Sequence, residues 1–388
     1  MTDSVGLYLH IPFCRQRCAY CDFYSGFAGE EMIRRYVTAL CAEIQKQGGL
    51  YGRPVATVYF GGGTPSLLSA RQVDEILHRV TSAFSVADHA EITLECNPGD
   101  QGEEWFRQVK KSGVNRLSFG VQSSMDACLS RLRRNHTFHQ AQTALAAARK
   151  AGFENCSVDW MLGLPGSDDA LLAREAEAFL SLEADHVSCY MLSLEENTLF
   201  SWRRQDYVFP DAEAVARQYL AACERLRSAG YRHYEISNFC RPGKEGRQNL
   251  IYWKDREYLG IGPGAYSYLD GRRFHTPPDL HAFLRQPQSI FDEPGGGCAE
   301  WIMLSLRLAD GFSKEELARR FHKTTTAAFE TLLSRLKEAG YATENKGRIA
   351  LTERGWLVSN SVICEMEREE LYADLPDLSG ASRVDAGQ

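Results

Sequence analysis

Tyr8-Leu9-His10-Ile11-Pro12-Phe13-Cys14-Arg15-Gln16-Arg17-Cys18-Ala19-Tyr20-Cys21 reads as a short apolar strand running directly into a CxxxCxxC loop. Three thiols this close together can converge on one metal centre, and thiolate is the soft ligand that selects zinc or iron-sulfur clusters. A structural zinc site closes with four protein ligands, as do most 4Fe-4S clusters. Here no fourth Cys follows at short range, because position 23 is Phe. Three protein ligands on a four-iron cluster leave one iron open to a small molecule, and that corner is where chemistry would occur. Two plainer readings stand beside it: a zinc site closed by a distant residue, and three ordinary thiols.

The chain around this loop has 388 residues, 44% of them hydrophobic, and a formal charge of −7. That length fits two or three domains with a substantial core. The charge argues against a general nucleic-acid binder. The opening Met1-Thr2-Asp3-Ser4-Val5 lacks the basic and apolar regions of a signal peptide, and no apolar run approaches a membrane span. Twelve cysteines are scattered without framework spacing beyond the first three. A disulfide scaffold is therefore not expected, and a reducing cytoplasm is.

Short apolar runs at 6–12, 57–60, 91–96, 116–121, 155–161 and 186–192 predict six strands. Between and after them lie amphipathic segments at 31–47, 70–84, 103–112, 137–151, 169–182 and 211–228. Gly113, Gly152 and Gly230 stand just past helix ends, where a left-handed cap is expected. Six strand-helix units in succession predict an α/β fold with a parallel sheet. A closed eight-fold barrel needs two more units, so the expected architecture is an open (β/α)6 partial TIM barrel.

The Cys loop follows the first strand and Gly61-Gly62-Gly63-Thr64-Pro65 the second. Cys96-Asn97-Pro98-Gly99, Gln122-Ser123-Ser124 and Gly163-Leu164-Pro165-Gly166 follow the third, fourth and fifth. In a barrel all of these lie at the carboxyl ends of the strands, where active sites are built. The glycines of 61–63 let a ligand approach the backbone closely, although a plain tight turn would read the same way. Glu95 and Asp159 are charged residues in otherwise apolar strands, each needing a ligand or an ion-pair partner. Gln122 and Arg134 say less by chemistry alone.

Taken in order, Tyr8-x-His10-Ile11-Pro12-Phe13-Cys14, Gly61-Gly62-Gly63-Thr64-Pro65, Glu95-x-Asn97-Pro98, Phe119-Gly120-Val121-Gln122, Arg134-x-His136 and Val158-Asp159-x-Met161-x-Gly163-Leu164-Pro165-Gly166 form a series. It continues through Gly230-Tyr231-x-x-Tyr234-Glu235-Ile236-Ser237-Asn238-Phe239 and Gly260-x-Gly262-Pro263-Gly264-Ala265. The series covers nearly the whole chain and resembles the oxygen-independent coproporphyrinogen III oxidase family of radical S-adenosylmethionine (SAM) enzymes. It is most similar to that family's HemW branch, the heme chaperones. The resemblance implies a 4Fe-4S cluster on Cys14, Cys18 and Cys21. It implies SAM contacts at Tyr8, Tyr20, Gly62, Gly63, Thr64, Glu95, Gln122, Arg134 and Asp159. Tyr20 would face adenine, Gly62, Gly63 and Thr64 the methionine amino group, Asp159 the ribose, and Glu95 and Arg134 the zwitterionic methionine end.

Two departures refine this reading. The coproporphyrinogen oxidases have a further Cys two residues after the third cluster ligand, where this chain has Phe23; that is the HemW form and argues against porphyrinogen decarboxylation. HemW proteins carry HNxxYW, associated with heme, where this chain has Gln248-Asn249-Leu250-Ile251-Tyr252-Trp253. Gln248, Asn249, Tyr252 and Trp253 would share one face of a helix, but Gln does not ligate iron as imidazole does. His233, Cys240 and Tyr266 are the substitutes.

The Gly-, Pro- and aromatic-rich stretch 237–298 is expected to pack over the barrel mouth, following a core at 1–236. From 299 to 375 helices precede a hairpin at Asn345-Lys346-Gly347, which predicts a winged-helix-like α+β domain with a polar tail at 376–388. From 299 onward there are 12 Lys and Arg against 15 Asp and Glu, 12 − 15 = −3, the wrong sign for DNA. Two functions follow from the resemblance. One is a heme chaperone that passes heme to an acceptor. The other is a catalytic radical SAM enzyme, a dehydrogenase or methyltransferase acting on a tetrapyrrole or another substrate. Both need an electron donor, and the sequence names neither donor nor acceptor.

Overall fold

The computed structural model describes residues 4–375; the tail expected at 376–388 lies outside them. The chain divides into two compact units, Met1–Gly295 and Gly296–Gln388. In the first, six parallel strands stand side by side in sequence order: β1 (Val5–Ile11), β2 (Val55–Gly62), β3 (Val86–Cys96), β4 (Arg116–Gln122), β5 (Cys156–Leu162) and β6 (His186–Met191). The crossovers are α1 (Glu30–Tyr51), α2 (Ala70–Ala83), α3 (Glu103–Lys111), α4 (Asp126–Arg131) with α5 (Phe138–Lys150), and α6 (Asp169–Ser181). After β6 come a single turn, α7 (Leu199–Trp202), and α8 (Ala212–Ser228). Capping boxes open α2 at Ser69 and Gln72 and α5 at Thr137 and Gln140, satisfying N–H groups that a helix start leaves unpaired.

The strands alternate with period two. Leu94, Leu117, Phe119, Val158, Trp160, Val187 and Cys189 are all nearly inaccessible and form the apolar side of the sheet. Glu95, Ser118, Ser157 and Asp159 alternate with them, and the register carries Glu95 to Ser118, Ser118 to Ser157, and Asp159 to Ser188. These polar residues line cavities inside the barrel. The sheet therefore has an oily back and a polar inner face.

The barrel is open. Beyond β6 the sheet is extended by β7 (Arg232–Glu235) and β8 (Asn238–Cys240), with β8 antiparallel to β6. The chain then crosses through α9 (Arg247–Trp253) to the opposite edge. There β9 (Tyr258–Ile261) pairs parallel with β1, followed by β10 (Tyr266–Leu269), β11 (Arg272–His275), α10 (Leu280–Arg285) and β12 (Ile290–Pro294). The glycine- and aromatic-rich stretch thus supplies strands to both edges of the sheet. Near the mouth, Leu280 N–H donates to the Tyr24 hydroxyl at 2.8 Å, just beyond the Cys loop.

Helix α9 closes the amino-terminal end of the strands. Gly6 permits this: a Cβ there would lie 2.8 Å from Ile251 Cδ1 and 3.0 Å from Gln248 Oε1. Gln248 is 2% exposed. Its carbonyl accepts from Thr57 Oγ1, its amide donates to Tyr252 Oη at 2.7 Å, and its backbone N–H donates to Glu91 at 3.3 Å.

The second unit holds α11 (Cys298–Ser305), β13 (Phe312–Ser313), α12 (Lys314–Phe321), β14 (Lys323–Thr325), α13 (Ala327–Glu338), β15 (Ala342–Asn345) and β16 (Arg348–Leu351). It ends with α14 (Glu353–Leu357), α15 (Ser359–Met366) and β17 (Tyr372–Asp374). Ser313 caps α12 through Glu316 N–H at 2.9 Å. β15 and β16 form the expected hairpin, with Lys346 at φ 50° and Gly347 at φ 73°, the paired positive angles of a type I′ turn. With β13 beside β16, the order of helices and strands is that of a winged-helix-like domain.

Candidate functional site

The loops at the carboxyl ends of β1 to β4, with Asp159 of β5 and Tyr190 of β6, enclose a cavity of about 130 Å³. Cys14, Cys18 and Cys21 line its rim, and all three are free and partly accessible. Loop geometry sets them there. Ala19 N–H donates to Leu132 O at 3.0 Å, Cys14 N–H to Gly26 O at 3.0 Å, and Gly26 N–H to Pro12 O at 2.9 Å, so the loop is pinned on both sides. Burial pushes the Cys21 thiol up to about 11, partly offset by a hydrogen bond from the Phe23 backbone. A bound cation cluster reverses that penalty, because a coordinating thiol is deprotonated outright.

The wall opposite the rim is charged. Arg134 is half-buried; Nη2 donates to Asn97 Oδ1 at 2.5 Å and to Gly120 O at 2.6 Å, while Nη1 reaches Cys18 Sγ at 3.5 Å. Residue 120 is glycine for this reason, since a Cβ would stand 3.0 Å from Arg134 Nη2. Arg134 Nε is buried without a hydrogen-bond partner. Glu95 accepts from Tyr59 Oη at 2.7 Å, and its carboxyl is raised above the usual range, chiefly by burial. Gly63 has no room for a side chain: a Cβ would meet Phe13 O at 2.6 Å and Ile11 O at 2.9 Å. The thiol of Cys14 lies 3.3 Å from Thr64 Oγ1.

Gln122 adopts φ 72°, a left-handed angle uncommon for a non-glycine residue, at the end of β4 and inside the cavity. Tyr190 Oη donates to its Oε1 at 2.7 Å and holds it there. Strain of this kind collects at ligand sites and is kept by surrounding structure.

Eight of the nine residues expected at a SAM site therefore meet around one cavity: Tyr20, Gly62, Gly63, Thr64, Glu95, Gln122, Arg134 and Asp159. Tyr8 does not line it. Its ring stacks on Tyr59 at 6.1 Å, and its hydroxyl lies 3.2 Å from His10 Nδ1. Asn97 and Tyr190 join the site without having been singled out. Asn97 stood within a quoted turn, and Tyr190 would have followed from extending the inward alternation of the sixth strand. Gln248, Asn249, Tyr252 and Trp253 lie elsewhere: α9 seals the far end of the barrel, with Trp253 hydrogen-bonded to Glu235. Of the substitutes, His233 stacks on Phe239 with ring centroids 3.8 Å apart, Cys240 is buried, and Tyr266 is 60% exposed beside His275.

The donor set fits the implied cofactors. Three soft thiols suit an iron-sulfur cluster with one open iron. A half-buried cation with an orphaned N–H suits a carboxylate, and two carboxyl groups suit amino and hydroxyl donors.

Asp159 is pushed up to about 7 by burial and then by Glu95, with Arg134 and Arg116 opposing. An unfolded Asp titrates near ~4, so the native state holds this proton more tightly. The stability it contributes is fully present below about pH 4 and is lost as pH rises through about 7. Asp159→Asn is expected to raise the Tm of the cofactor-free protein above pH 7 and leave it unchanged below pH 4. Scanning calorimetry across that range checks this, and a variant as pH-sensitive as wild type contradicts it.

Residues 8–178 match the Radical SAM superfamily and residues 298–358 the HemN C-terminal domain. The chain is 33% identical over 363 residues to the heme chaperone HemW of Lactococcus lactis subsp. lactis, covering 92% of this chain and 95% of the relative. It is 34% identical over 376 residues to the heme chaperone HemW of Escherichia coli K12, covering 92% and 97%. Among solved structures, coproporphyrinogen III oxidase (HemN) from Escherichia coli shares the fold with a TM-score of 0.80, at 21% identity, over 94% of this chain and 90% of that one.

Proposed function

The chain belongs to the HemW family of the radical SAM superfamily, and on that premise we propose that it is a heme chaperone that holds a 4Fe-4S cluster and SAM and delivers heme to an acceptor. The observation that carries the cofactor part is the convergence of Cys14, Cys18 and Cys21 on a cavity walled by Arg134, Glu95 and Asp159. Cys14, Cys18 and Cys21 would hold the cluster, Arg134 the methionine carboxylate, and Gly62, Gly63 and Thr64 its amino group. When bound, the pair supplies reductive cleavage of a sulfonium. The residues themselves orient and exclude water: Tyr190 fixes Gln122, and Asn97 and the Gly120 carbonyl fix Arg134.

Phe23 argues against carrying over decarboxylation. It is 69% exposed at the mouth, where an oxidase would have a Cys, and offers an apolar surface rather than a thiol. Position 248 is a poor heme ligand by placement as well as by chemistry, being buried with both amide atoms engaged. Heme would therefore bind at another surface, and Gln248→His is expected to leave its binding unchanged. Titration of heme into wild type and Gln248→His tests the proposal: a stoichiometric Soret shift in both is expected. Binding by the His variant alone would replace the chaperone reading with a catalytic one. That second reading has its own observation, since the cavity continues inward into a polar chamber with room for a substrate. Release of 5′-deoxyadenosine from SAM under dithionite would support it.

A further inference from the structure

Behind the Cys-lined cavity, toward the amino-terminal ends of the strands, lies a second chamber of about 200 Å³, sealed below by Gln248 and Asn249 of α9. Glu95 and Asp159 line both cavities and form the threshold between them. A chamber of this size takes much more than a single water.

Arg116 projects into it and is 4% exposed. Among the described residues its guanidinium makes no hydrogen bond and no ion pair, and Nε is buried and unpartnered. Glu91 is its largest electrostatic support, yet the Glu91 carboxylate is engaged by the backbone N–H groups of Arg247, at 3.0 and 3.2 Å, and of Gln248, at 3.3 Å. His186 is also spent, with Nδ1 2.7 Å from Ser157 Oγ and Nε2 2.8 Å from Tyr234 Oη. Asn238 Oδ1, in the same wall, is a buried acceptor without a donor. Buried arginine is costly unless paired and hydrogen-bonded. A guanidinium fork presents parallel N–H groups that match a carboxylate.

We propose that this chamber is a binding site for a small α-amino acid, its carboxylate on Arg116 and its ammonium turned toward Glu95, Asp159 and the Asn238 carbonyl. A zwitterion answers both halves of the chamber: one buried cation at its base and carboxyl groups at its threshold. The site is independent of whether the protein carries heme.

Thermal unfolding of the full-length protein with millimolar glycine, acetate or inorganic phosphate tests it. Glycine is expected to raise the Tm saturably, by about 2 °C or more, acetate by less, and phosphate not at all. Arg116→Gln is expected to stay folded, since it removes an unpaired buried charge, and to lose the glycine response. An absent glycine shift, or an equal one in Arg116→Gln, overturns the proposal. Should that variant fail to fold, saturation-transfer NMR of glycine on wild type decides: transfer from protein to the glycine methylene supports the site, and none refutes it.

Discussion

Arg134→Ala is expected to abolish SAM binding and to cost about 1–3 kcal/mol of stability, because it strands two half-buried acceptors at once. Those acceptors are Asn97 Oδ1 and the Gly120 carbonyl, each bonded to Nη2 in the native protein. The same guanidinium approaches the Cys18 thiol, so the change also removes positive charge beside a cluster ligand. Arg134→Lys is not expected to rescue affinity: a point charge cannot serve Asn97, Gly120 and Cys18 together as a planar fork does. Equilibrium dialysis with SAM and urea unfolding measure the two effects. Near-native SAM affinity in Arg134→Ala would remove this residue from the site.

Cys14→Ala, Cys18→Ala and Cys21→Ala are each expected to lose nearly all iron and visible absorbance after anaerobic reconstitution, since three thiolates are the minimum that holds the cluster. Cys96→Ala is the informative control. Cys96 also lines the cavity, and it is the nearest candidate for a distant fourth ligand. Its thiol is buried, points at Leu94 O at 3.7 Å, and is held well above the usual range by burial, so it is a poor thiolate. Retained iron in Cys96→Ala supports an open three-cysteine site. Loss of metal there would mean a closed four-thiol site of the zinc type.

Much of the barrel was legible because its strands obey one rule. Runs such as Cys156-Ser157-Val158-Asp159-Trp160 alternate polar and apolar residues, so both the strand and its inward side can be read. β3 starts five residues before its predicted position, at Val86, because Asp88 and His89 are exposed there and leave no apolar run. The edge strands β8 to β12 were not legible. They are three to five residues long, too short to show a period, and β8 and β9 are strands because they pair with chain far away in sequence.

The site shows the same division. Cysteines, a glycine run and charges in apolar strands announce themselves by residue type. Asn97 and Tyr190 do not, since their value lies in what they hold: Arg134 in one case and Gln122 in the other. Tyr8 is the converse case. It precedes the Cys loop in the motif, but an inward position on β1 places it against Tyr59 rather than at the cavity. The role of α9 depends on a return crossover from β8 to β9, and no local pattern around Gln248 reveals that.

The central claim is that three protein sulfurs leave one iron for SAM. The most direct measurement is metal content and EPR of the anaerobically reconstituted, dithionite-reduced wild type, with and without SAM. The account predicts about four iron per chain and a spectrum that changes when SAM is added. One zinc and no iron, or an iron-loaded protein whose spectrum SAM leaves untouched, would contradict it.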